Sequence, residues 1–184
     1  MANFTLANST AIGGGNVQAA VTTTYKTQLL VGNSTTSGAT ITGTVRRGKL
    51  YDILVGTNGT PADNFMEWDC CRATMGASST LAGGVSSLSS NFMLDEADAG
   101  GPAGGTLAAL LGINSSIETA FTALTEVWYV GVNQRASYRW VAAPGSEFVY
   151  PAASSATGRN GLLGRTRSGG YTGTATMNFL VQEQ

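Results

Sequence analysis

Along 17–31 one parity of the sequence carries Val17, Ala19, Val21, Tyr25, Leu29 and Val31, with Thr23 and Thr27 between them. The other parity is mostly Gln, Thr and Lys. A period of two marks a pleated strand with one face toward a core, so this stretch predicts one long bent strand or two strands with a tight break. The same period recurs. Over 50–55, Tyr51, Ile53 and Val55 share a face with Asp52 opposite. Over 65–72, Met66, Trp68 and Cys70 point inward and Glu67, Asp69 and Cys71 outward. Segment 127–132 is apolar on both faces and predicts a central strand. In 135–141, Ala136, Tyr138 and Trp140 oppose Arg135, Ser137 and Arg139, and in 174–181, Ala175, Met177, Phe179 and Val181 alternate with Thr174, Thr176 and Asn178. Six or more such strands, with Gly, Pro and Asn turns between them, read as an all-β sandwich or barrel.

Elsewhere the alternation fails. Residues 75–105 dissolve into Ser, Gly and Ala and hold Asp95, Glu96 and Asp98 near their end, which predicts a long insertion or loop. Ser115 and Glu118 form an S-x-x-E capping box, and Ile117, Phe121 and Leu124 then share one helical face, although Thr119, Thr122 and Thr125 oppose a helix. Residues 1–16 read as an extended N-terminal arm ahead of one domain over 17–184.

Composition narrows the chemistry. The chain has 184 residues, a length that suits one domain, and it contains no histidine. That removes the usual general base and the commonest metal ligand. Gly, Ala, Ser and Thr fill 89 positions, which favours Thr-rich strand faces and glycine turns over an α/β enzyme. Charged residues are 11% and the net charge is -1, so neither a nucleic acid nor a membrane is an expected partner. There is no positively charged n-region at the start and no apolar run as long as a membrane span. Synthesis in a cytoplasm with reduced thiols is the expectation. Charge is also unevenly placed: no Lys or Arg falls between 73 and 134, whereas 135–167 carries Arg135, Arg139, Arg159, Arg165 and Arg167. The acidic insertion and the basic segment either meet, within one fold or between neighbouring copies, or form two solvated faces of opposite sign.

Each chemical motif has a simpler structural explanation. Residues 43–50 match G-x-x-x-x-G-K, but Leu50 stands where a phosphate loop needs Ser or Thr, and no helix follows, so a basic hairpin turn is predicted. Asp95, Glu96 and Asp98 lack calcium-loop spacing, and no metal or other cofactor is expected. Adjacent Cys70 and Cys71 point to opposite faces of a strand, which predicts a core thiol at Cys70 and a half-exposed one at Cys71, with no disulfide between them. Trp68, Trp128 and Trp140 lie in strand patterns and are read as core. With no nucleophile motif, the chain is not expected to be an enzyme.

Three stretches resemble a family of small structural proteins encoded beside the capsid genes of tailed bacteriophages: 59–69 (GTPADNFMEWD), 133–147 (NQRASYRWVAAPGSE) and 171–183 (YTGTATMNFLVQE). The resemblance runs over most of the chain from about Leu50 onward, and the stretch 75–105 is longer than the family pattern. It implies a capsid decoration (cement) protein with a jelly-roll or related β-sandwich fold. The implied partners are the major capsid protein and further copies of the chain, as trimers or dimers, and the implied location is the outer surface of the virion. Such a protein needs no chemistry, only a rigid domain whose repeated weak contacts add up over a closed shell. Arg135, Arg139, Arg159, Arg165 and Arg167 are the first candidates for interface contacts, because Arg forks engage carboxylates bidentately. Asp95, Glu96 and Asp98 are their acidic counterparts. The alternatives are a tail, neck or fibre component, or a surface carbohydrate-binding module, which aromatics in a surface groove would favour.

Overall fold

Threonine, β-branched and aromatic residues favour a pleated backbone, and glycine and proline interrupt it. The computed structural model describes residues 2–8, 20–32, 47–75, 91–93, 110–113, 121, 123–150, 159–171 and 173–183. These form β1 (Ala2–Ala7), β2 (Lys26–Gly32), β3 (Gly48–Gly59), β4 (Phe65–Met75), β5 (Asn91–Met93) and β6 (Leu110–Ile113). There follow β7 (Ala123–Asn133), β8 (Tyr138–Val141), β9 (Phe148–Tyr150), β10 (Arg159–Arg167) and β11 (Gly173–Glu183). The described residues are all-β, in two antiparallel sheets. The first sheet runs β5-β1-β11-β3-β8 with β9 also on β3, and the second runs β6-β2-β10-β4-β7.

One core lies between the sheets. The first sheet contributes Phe4, Leu6, Leu50, Ile53, Val55, Met177, Phe179 and Val181, and the second contributes Leu29, Val31, Met66, Trp68, Cys70 and Leu162. A Cβ on Gly164 would collide with Sδ of Met177, so this glycine sets how closely β10 approaches β11. Asn8 is fully buried and ties the sheets at one point. Its Nδ2 donates to the Ala175 carbonyl at 2.9 Å and to Gln28 Oε1 at 3.2 Å, and its Oδ1 accepts from the Met177 amide at 2.7 Å. The second sheet is covered on its outer face too, where Leu30, Cys71, Ala73 and Leu163 form a smaller cluster packed by Phe121.

Several expectations need correction. The alternation of β11 holds, with Ala175, Met177, Phe179 and Val181 all buried. Of 17–31, residues 17–19 lie outside the described residues; among the rest, Ala20 makes an isolated bridge to Thr174, Thr23 and Thr24 form a bend, and Lys26 opens β2. In β3 the expected phase breaks at Tyr51, because Leu180 pairs Asp52 while Val181 pairs Leu50. The extra residue makes a bulge that turns Leu50 inward with Ile53 and Val55. Segment 127–132 is not central: it belongs to β7, which stands at the end of its sheet with β4 as its one neighbour among the described strands. Cys71 is buried, not half-exposed, because the outer cluster covers it. The arm expected over 1–16 is, at Ala2–Ala7, an internal strand between β5 and β11. Of the insertion expected over 75–105, Asn91–Met93 form β5, paired to β1, and 76–90 and 94–105 lie outside the described residues. Of the basic hairpin turn expected over 43–50, residues 43–46 lie outside the described residues, and Gly48–Leu50 open β3. Leu124, expected on a helix, lies in β7, and 114–120 lie outside the described residues.

Candidate functional site

Glu67 and Asp69 stand two residues apart on β4, and Arg165 and Arg167 stand two apart on β10. Antiparallel register sets Arg165 directly opposite Asp69 and Arg167 directly opposite Glu67. A period of two then puts all four side chains on the outer face of the second sheet, as two cross-strand ion pairs. Arg165 Nη2 and Nε donate to Asp69 at 2.5 and 3.0 Å, and Arg167 Nη2 and Nε donate to Glu67 at 2.7 and 2.8 Å. Both guanidinium carbons lie 4.6 Å from the ring centroid of Tyr25, whose hydroxyl donates to Glu67 at 2.9 Å. One ring thus steadies two cations and shares a carboxylate with one of them.

Burial separates the two acids. Desolvation pushes the fully buried Asp69 carboxyl up, against the pull of Arg165. Desolvation also acts on Glu67, but the hydrogen bonds from Arg167 and Tyr25 outweigh it and hold that carboxyl below its ordinary value. Burial pushes the Cys71 thiol up to about 12 and the Cys70 thiol well above its ordinary value, so neither is a ready nucleophile. Among the described residues no group of three or more Cys, Asp or Glu is placed to hold a metal ion.

Beside the Glu67–Arg167 pair the connections 60–64 and 134–137 meet residues 168–171. Gln134, fully buried, fastens them. Its Oε1 accepts from the Ala62 amide at 3.0 Å, its backbone amide donates to the Asn64 carbonyl at 2.9 Å, and its Nε2 donates to Ser168 Oγ at 2.9 Å. Ser168 Oγ donates in turn to the Phe65 carbonyl at 2.7 Å. Left-handed backbone at Gly59 (φ 113°) and Gly170 (φ 80°) lets β3 and the last turn leave this knot, a conformation that favours glycine. The result is a cleft of about 400 Å³ lined by Thr23, Asn64, Phe65, Glu67, Arg167, Ser168 and Gly169.

The structure brings Arg165 and Arg167 together and disperses the other arginines. Arg135 pairs with Asp63 at 3.2 Å, with 61% of its side chain exposed. On the first sheet's outer face Arg139 holds Asp52 with contacts of 2.5 to 3.1 Å and is 62% exposed. Arg165 is only 12% exposed and is committed to Asp69. The side chain of Arg159, together with Asp95, Glu96 and Asp98, lies outside the described residues. The observed partners of the arginines are therefore carboxylates from 52–69 of the same chain. Trp68 is core as expected, whereas Trp128 and Trp140 are half-buried at its margin, Trp140 stacked on Phe148 with ring centroids 4.5 Å apart. Sequence reasoning missed Tyr25, Phe65 and Gln134. The equal two-residue spacing of Glu67/Asp69 and Arg165/Arg167 was a usable signal for the ladder, but nothing in sequence pointed to Gln134. The chain matches no family model, no curated protein and no solved structure.

Proposed function

We propose that this chain is a structural virion protein that binds the outside of a tailed-phage capsid and stabilises the shell lattice. In this reading the two sheets are the halves of a jelly-roll sandwich. The observation that carries it is the strand order: β1-β11-β3-β8 in one sheet faces β2-β10-β4-β7 in the other, so strands from the two ends of the chain interleave. That interleaving is the order of two Greek keys, an architecture used in viral shells, and β5 and β6 extend it at one side. The polar groups serve rigidity: Asp69, Glu67 and Asp52 are held by arginines, and both thiols are buried.

Contact with the lattice falls to the outward surfaces. Among the described strands β7 is the eleven-residue edge of its sheet, bearing exposed Leu124 and Tyr129 and one acid, Glu126. A long edge of this kind pairs readily with another chain, here the capsid protein or a second copy in a trimer or dimer. Arg135 and Arg139 keep most of their side chains exposed while paired, which leaves N–H groups for a partner's carboxylates.

Co-sedimentation of the purified chain with undecorated shells of the phage that encodes it tests this. Binding should saturate at a fixed ratio to capsid subunits and raise the temperature at which the shells rupture. Failure to sediment with shells, or saturation without stabilisation, would contradict a cementing role.

A further inference from the structure

We infer that the cleft beside the Glu67–Arg167 pair is a binding site for a neutral saccharide, separate from any contact with a shell. Three features of the cleft point to that chemistry. The first is a fixed, exposed aromatic. Phe65 is 56% exposed in the cleft wall, and its ring tip occupies the space that a Cβ on Gly131 of β7 would take. Its backbone is pinned by Ser168, which Gln134 holds. An exposed apolar ring seated on Gly131, with its backbone carbonyl held, offers the C–H face of a pyranose a platform at little entropic cost.

The second feature is charge. Arg167 is the one cation among the lining residues, and Glu67 neutralises it at 2.7 Å. An anionic ligand would compete with that carboxylate and a cationic one with the guanidinium, so a neutral ligand is favoured. The third is the array of polar groups. Tyr25 steadies the Glu67–Arg167 pair from behind, and Thr23 and Asn64 add a hydroxyl and an amide at the exposed rim. The Arg167 guanidinium only donates and the Glu67 carboxylate only accepts, so the two side by side match adjacent hydroxyls of a sugar ring, each of which can do both. The volume, about 400 Å³, lies at the small end of the range for ligand clefts.

Amide chemical shifts of the whole chain provide the test, with cellobiose, maltose, lactose and diacetylchitobiose as probes and glucuronate and glucose 6-phosphate as anionic controls. At least one neutral disaccharide should give saturating shifts confined to Thr23, Asn64–Glu67 and Arg167–Gly169. Phe65→Leu still covers Gly131 but lacks the ring, and should weaken binding about tenfold without lowering the melting temperature, whereas Phe65→Trp should restore it. Retardation in a gel containing a neutral glucan would mark an extended surface glycan, rather than a free sugar, as the source. The inference is overturned if no probe or glucan binds saturably, if only the anionic sugars bind, or if Phe65→Leu binds like the parent.

Discussion

Glu67 and Asp69 are two residues apart on one face of β4, each with an arginine opposite, yet their environments pull them in different directions. Asp69 is sealed under Arg165 and the outer cluster, and desolvation raises its pKa. Ionising it therefore costs stability as pH rises from its unfolded value toward the folded one. Desolvation tends to raise Glu67 too, but its pKa ends up lowered by hydrogen bonds from Arg167 and Tyr25. Its contribution is present above the unfolded carboxylate pKa and is lost as pH falls through the folded value. Glu67→Gln should thus melt below the parent at neutral pH, and the gap should close as the solution is acidified below the ordinary value of 4.5. Asp69 is common to both proteins, so the difference between their melting curves isolates Glu67; a gap that widened in acid would refute the assignment. The arginines differ in the same physical way. Arg165→Met strands a buried carboxylate and should cost about 3–5 kcal/mol in urea unfolding, whereas Arg135→Ala, at an exposed pair, should cost under about 1 kcal/mol.

Elements were legible where one face alone is buried. β11 follows its alternation without interruption on the core side. In β4 the inward set Met66, Trp68 and Cys70 was legible, but the burial of Asp69 and Cys71 on the opposite face was not. Reading failed where a period of two no longer describes the environment. β2 is buried on both faces because Phe121 and its cluster cover the outside, so neither parity marks the core. Bulges at Tyr51 and Val127 each shift a strand by one residue, and a bulge leaves no compositional trace. β7 looks central in composition because its inner residues pack on the core while Leu124 and Tyr129 face outward at an edge. At the candidate site the ion-pair ladder was half legible through its spacing, but the cleft depends on connections brought together by Gln134, whose neighbours lie about 70 residues away in Ala62 and 34 away in Ser168. β1 gives the sharpest contrast between arm and strand. Phe4 and Leu6 are 2% and 1% exposed in the core, so Phe4→Ala should destabilise the chain by about 3–5 kcal/mol in denaturant unfolding. A dispensable arm would tolerate that change with no measurable shift.

At the scale of the molecule, successive strands β1, β2, β3 and β4 alternate between the sheets, and β7, β8, β10 and β11 alternate again. Most stabilising contacts therefore join distant parts of the chain, as where β1 pairs β11. Closing both ends of the sequence into one sheet gives a rigid body, and rigidity is what a lattice contact requires, since little is lost in ordering the partner surfaces. The Gln134 knot fastens the connections beside the cleft by hydrogen bonds to Ala62, Asn64 and Ser168. The proposed shell contacts and the proposed saccharide site fall on different parts of this body, the outward edges in one case and the cleft in the other. In the proposed role a tailed phage encodes the chain, and electron cryomicroscopy of its virions tests that role most directly. The prediction is density for this two-sheet body on the outer capsid surface, repeated at symmetry-related positions with strand edges or exposed arginines against capsid subunits. Density confined to the tail, neck or fibres, or no copy on the particle at all, would contradict it.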